Sequence, residues 1–139
     1  MLFLLFSIGD GSFALATDAI VEVVPLLDLK TMRQAPAGVS GLLEYRGRFV
    51  PVVDLSALEL GRPAQRRLST RIVVMSRPGV AEGLIGLIVE KATETIKLDP
   101  ADFAPFAKGP DGLVQRVDLE SLVPPALLAA LPGQPAVPA

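Results

Sequence analysis

The sequence predicts a mainly β fold built from small barrels with short helices, and three observations carry that expectation. Apolar runs rich in Val, Ile and Leu recur along most of the chain. Links containing Gly, Pro and Asp separate them, as in hairpins and tight turns. No stretch between them is long enough for the crossover helix that a parallel sheet requires.

Taken in order, the first two runs flank Gly9-Asp10-Gly11-Ser12, which marks a hairpin. The opening MLFLLFSI lacks the basic start and small-residue cleavage site of a signal peptide, so it is expected to be a buried strand of a cytoplasmic protein. ATDAI (16–20) suits one helical turn capped by Thr17 or Asp18, and Ile20, Val21, Val23 and Val24 around Glu22 suit a strand. RQAPAGVSG (33–41) is a loop. LLEYR and RFVPVVD form a second hairpin about Gly47, and Pro51, having no N–H, places its strand at an edge or a bulge. DLSALELG (54–61) suits a short helix begun at Asp54 or Ser56 and stopped by Gly61.

After a polar loop (62–70), RIVVMS (71–76) and LIGLIVEKATETIKL (84–98) are strands, with Gly86 marking a bulge or close backbone contact. DPADF is a turn, GLVQRVDLESL begins as a strand, and PPALLAAL is a brief Pro-started helix. Alternation assigns Phe3, Leu5, Phe13, Ile20, Val50, Val52, Val73, Leu87 and Val89 to the core.

Half of the 139 residues are hydrophobic and a fifth are charged, enough for one domain's core and against disorder along most of the chain. The net charge of −2 gives no footprint for general nucleic-acid binding, and no apolar run is long enough to span a membrane. There is no His and no Cys, which excludes common zinc sites, the Ser-His-Asp triad, the Cys-His dyad and a phosphorelay through this chain. No metal, cofactor or catalytic residue is expected.

Asp54 is the first enzymatic candidate, but it is followed by Leu55 rather than the small turn of an aspartic protease, so a helix cap is the better account. Arg46 and Arg48 flank a hairpin tip, where a guanidinium fork either grips a partner's carboxylate or carbonyls or is simply solvated. Glu22 and Arg46 lie on strands that could be neighbours, giving an ion pair instead. The arginines at 62, 66, 67 and 71 have neither the aromatics nor the helix N-termini of a phosphate site and suit a solvated loop.

The runs FLLFSIGDGSFALATDAIVEV, GLLEYRGRFVPVVDLSALELG, TRIVVMS and IGLIVEKATETIKL together resemble the CheW-like domain of bacterial chemosensory adaptors, in register from Phe3 to about Leu98 and again over DGLVQRVDLESLV. Arg46-Gly47 followed by Pro51-Val52-Val53-Asp54-Leu55 is the most specific part. PVVDLSALELGRPAQRRLSTRIV and KATETIK look closest to the Wsp-type adaptors of surface-sensing systems.

The resemblance implies two small SH3-like five-stranded β-barrel lobes with a groove between them, in a single domain over 1–131, followed by a flexible tail over 132–139. It implies a non-catalytic adaptor that couples the cytoplasmic tip of a methyl-accepting chemoreceptor to the regulatory domain of a CheA-like histidine kinase, in the cytoplasm at membrane-associated receptor arrays. Ile20, Glu22, a turn at Gly41, and Arg46 would face the receptor, while Gly47, Pro51 and Asp54 would be structural. The alternative is a stand-alone barrel that binds a peptide or small ligand.

One departure stands out. Only AKGP separates Phe106 from Asp111, where the family carries a longer link and another strand. Either the second lobe lacks a strand and leaves an open edge, through which copies could self-associate, or a flexible segment is not represented.

Overall fold

A turn at Gly9-Asp10 folds β1 (Leu2–Ile8) onto β2 (Gly11–Ala16), and both strands bury residues of either parity. In β1, Phe3 and Leu5 face one core while Leu4, Phe6 and Ile8 face another, which explains the near-continuous apolar run. A 3₁₀ turn at Thr17–Ala19 leads into β3 (Ile20–Pro25). Neither Thr17 nor Asp18 caps that turn: its N-cap is Ala16, which has no side chain to bond. Next come β4 (Val39–Tyr45), β5 (Arg48–Asp54), α1 (Leu55–Leu60), β6 (Arg71–Ser76) and β7 (Leu84–Lys97). The hairpin β8 (Phe106–Gly109) and β9 (Gly112–Val117) is followed by α2 (Leu119–Leu122) and α3 (Pro125–Ala130). This computed structural model describes residues 1–103 and 106–133, so 134–139 of the expected tail lie outside the described residues.

The 14-residue β7 belongs to two lobes. Its first half pairs with β6 and β5 to give a middle lobe ordered β3-β6-β7-β5-β4, and its second half pairs with β1 to give a terminal lobe ordered β7-β1-β2-β9-β8. The crossing between lobes lies at Glu90–Glu94, where the β1 register shifts and Lys91 takes φ 53°, as at a bulge. Among the described residues each lobe therefore has five strands, and the short link at 107–110 costs the terminal lobe none, because Pro110-Asp111 closes a tight hairpin instead.

Neither lobe is a closed barrel. Among the described residues no ladder joins β3 to β4 or β7 to β8. The outer edge of β8 is thus open, although the strand itself is present.

Six of the nine expected core residues are buried (Phe3, Val50, Val52, Val73, Leu87 and Val89), while Leu5, Phe13 and Ile20 are only partly so. These three are packed against the clusters without being enclosed by them, Phe13 and Ile20 on the central one and Leu5 on that of the terminal lobe. Pro51 is buried opposite Leu42; pairing of β5 with β7 begins one residue later, at Val52, so no ladder on that side needs its missing N–H. Gly86 lets β7 approach closely: a Cβ there would sit 3.0 Å from methyls of both Ile72 and Val52.

Candidate functional site

The β4–β5 connection has two residues, Arg46 and Gly47, both at positive φ (47° and 79°), the signature of a type I′ hairpin turn that matches strand twist. The sequence pointed to Gly47 alone, yet Arg46 shares the left-handed region. That backbone lifts the Arg46 side chain over the ring of its neighbour Tyr45, with Cζ 5.0 Å from the ring centroid.

From there Arg46 Nη2 donates to Oε1 of Glu22 on β3 at 3.1 Å, and the Tyr45 hydroxyl donates to the same oxygen at 2.6 Å. Both charged side chains remain accessible, Arg46 at 69% and Glu22 at 43%. The three residues bridge the seam between β3 and β4 that no backbone ladder closes. The phenol of Tyr45 is pushed above its usual range, first by desolvation and then by the Glu22 hydrogen bond, while Arg46 opposes the shift. It is therefore a proton donor throughout the neutral range.

Ile20 begins the same strand, half-buried against the central core. Gly41 is not in a turn. It lies within β4 at a register shift, at φ 144°, where the backbone of Lys30 bridges to Leu42 by N–H···O bonds of 2.8 and 3.0 Å. Arg48 is not simply solvated: its Nη1 donates to the Glu82 carbonyl at 2.8 Å and so ties the hairpin to the β6–β7 loop.

Asp54 is buried and serves as the N-cap of α1: Oδ1 accepts from the amides of Ser56 (3.0 Å) and Ala57 (3.2 Å). Its Oδ2 also accepts from Ala64 N at 2.9 Å, a long-range bond that spacing could not reveal and that docks the 62–70 loop. Asp54→Asn is consequently expected to cost about 1–3 kcal/mol rather than the near-zero cost of a simple cap exchange, because an amide NH2 would face the Ala64 N–H. Asp54→Leu, which strands all three donors, should cost about 3–5 kcal/mol in chemical denaturation.

Arg77 escaped the sequence analysis. Its buried guanidinium donates to the carbonyls of Leu128, Leu131 and Pro132 at 2.6–3.1 Å, holding the end of α3. Between the lobes lies a groove of about 920 Å³, with Ala16, Met75, Phe103 and Val117 in its wall and Asp18, Arg116 and Glu120 among its charged residues. None of Ile20, Glu22, Gly41 and Arg46 lines it. The arginine loop forms one long ion pair, Arg66 to Asp28 at 3.6 Å between exposed side chains. Among the described residues no helix is long and apolar enough to cross a membrane.

The chain is similar to "Chemotaxis protein CheW" of Rhizobium meliloti (strain 1021), 28% identical over 100 residues, 72% of this chain. It is also similar to "Chemotaxis protein CheW" of Helicobacter pylori (strain ATCC 700392 / 26695), 27% identical over 104 residues, 74% of this chain. The matched segments span 63% and 61% of those relatives' lengths. Its fold matches that of the scaffolding protein TtCheW from Thermoanaerobacter tengcongensis with a TM-score of 0.74, at 22% identity, over 85% of this chain and 84% of that one. The profile described as "CheW-like domain" matches residues 2–122, and the chain belongs to that family.

Proposed function

We propose that the protein is a non-catalytic adaptor that couples the cytoplasmic tip of a methyl-accepting receptor to a CheA-like histidine kinase in a chemosensory pathway. The observation that carries this is the accessible Glu22–Arg46 pair at a rigid hairpin tip, seated on a buried tyrosine. A planar guanidinium and a carboxylate held side by side offer donors and an acceptor to a polar helical hairpin. The relatives' names supply the pathway, and the adaptor would work in the cytoplasm at receptor arrays. The surface-sensing, Wsp-type branch is the finer assignment within the same proposal, supported by the α1 and 62–70 segments.

Co-sedimentation with a receptor-tip fragment and the kinase tests the adaptor. Recovery of all three together is expected, and binding of neither partner would refute it. The 920 Å³ groove favours a second reading, a module that binds a peptide or small ligand by itself, which predicts no ternary complex.

Arg46→Ala should weaken receptor-fragment binding by about 2 kcal/mol or more if the residue sits at the centre of the interface, with the thermal midpoint nearly unchanged. Arg46→Glu should bind more weakly still. Arg67→Ala is the matching control, since Arg48 also holds a loop. Self-association through the β8 edge belongs to the same proposal, but four residues carrying Lys108 make a poor edge for pairing, so light scattering should show dimer only at high concentration.

A further inference from the structure

The docking surface proposed above contains two charges whose geometry depends on a third residue. Glu22 and Arg46 meet through one carboxylate oxygen, Oε1, and Tyr45 touches both partners. Its hydroxyl gives Oε1 the shorter of the two bonds, 2.6 Å against 3.1 Å, and its ring face lies under the guanidinium. Tyr45 is itself 7% exposed and packs in the core of the middle lobe with Leu43, Val50 and Val52. The two ligand-facing side chains are long and solvated, so alone they would sample many rotamers, and an exposed ion pair contributes little to hold them. A buried phenol has far less freedom.

We propose that Tyr45 is the positioning residue of the receptor-docking surface: its hydroxyl orients Glu22 and its ring supports Arg46, so that both charges are preset before a partner arrives. This rests on the adaptor reading. Presetting matters because ordering two long side chains at an interface opposes binding, and rigid support removes part of that cost. It also assigns Oε1 to internal bonds, which leaves Oε2 of Glu22 and the remaining guanidinium donors of Arg46 as the groups offered to the receptor hairpin.

The composition makes the test direct. Tyr45 is the sole tyrosine, so protein labelled with 3-fluorotyrosine gives one fluorine resonance for this position. Glu22→Ala and Arg46→Ala, both at accessible side chains, should each move that resonance at neutral pH with the fold intact. Tyr45→Phe keeps the ring and its packing and should leave the thermal midpoint within a few degrees of wild type. It should nevertheless weaken binding to the receptor-tip fragment about 5- to 20-fold, and Arg46→Ala should cost less in the Tyr45→Phe background than in wild type, because Glu22, the carboxylate that Arg46 pairs with, has already lost its orientation. A fluorine resonance indifferent to both substitutions, or Tyr45→Phe binding as wild type does, would overturn the proposal. So would an Arg46→Ala penalty that is the same in both backgrounds. If wild-type protein fails to bind the fragment at all, the adaptor reading falls, and the fluorine shift then decides by itself whether Tyr45 orders the pair.

Discussion

Gly41→Ala is expected to destabilise the protein by about 3–5 kcal/mol, a large share of the stability of a domain this size. A Cβ at this position would run into the carbonyl oxygen of Lys30 and lie 3.2 Å from Cβ of Leu29. The oxygen belongs to backbone and cannot swing aside like a side-chain tip. Relief requires the 26–30 segment to retreat, which breaks both Lys30–Leu42 hydrogen bonds and loosens Leu26 and Leu29 from the core they cover. Two bonds at about 1 kcal/mol each, plus about 1–3 kcal/mol for an L-residue held at φ 144°, give the expected size. Urea denaturation of the variant measures it. Any loss of receptor binding by Gly41→Ala should then track the unfolded fraction or the displaced 26–30 segment, whereas Arg46→Ala should lose binding while fully folded.

Arg77→Met should be the second large effect, about 2–4 kcal/mol. Methionine fills much of the same space but removes the donors to the carbonyls of Leu128, Leu131 and Pro132. Those carbonyls lie at the end of α3 and just past it, where Leu128 O accepts only one long bond from Leu131 N, and a cation there also suits the negative end of the helix. Leu127, Leu128 and Leu131 pack on the central core between the lobes, so a loosened α3 uncovers apolar surface. Hydrogen exchange should localise the change: the amides of Leu127, Leu128 and Leu131 should lose protection while those of β6 and β7 keep theirs. Uniform loss of protection would mean that Arg77 supports the whole fold instead.

Elements with local causes were legible in the sequence. The β1–β2 and β4–β5 hairpins, α1 with its Asp54 start and Gly61 stop, and the long β7 all follow from alternation, turn residues and caps within a few positions. Glu22 and Arg46 could be suspected as a pair because the runs that carry them could be neighbouring strands. What escaped depends on distance along the chain. Ala64 reaches Asp54 across 10 residues, Arg77 reaches α3 across more than 50, and Tyr45 reaches Glu22 across 23. Tyr45 carried no local signal in the sequence, and only the facing carboxylate gives its hydroxyl a task. Barrel closure was over-read for the same reason: five strands fix a lobe's size, but whether its end strands pair depends on side chains meeting across the seam.

Sharing β7 between both lobes sets the order in which the nascent chain can fold. The middle lobe lacks its central strand until Val89 has been made, and the terminal lobe waits further, because β2 pairs in parallel with β9, Phe13 beside Gln115. The β1–β2 hairpin is therefore made well before the strands that flank it, and LFLLFSI stays without its neighbours until β7 and β9 follow. Its pairing with β9 is a late, long-loop event, and slow synthesis or a pause before β9 leaves that hairpin exposed to aggregation or to chaperones for longer.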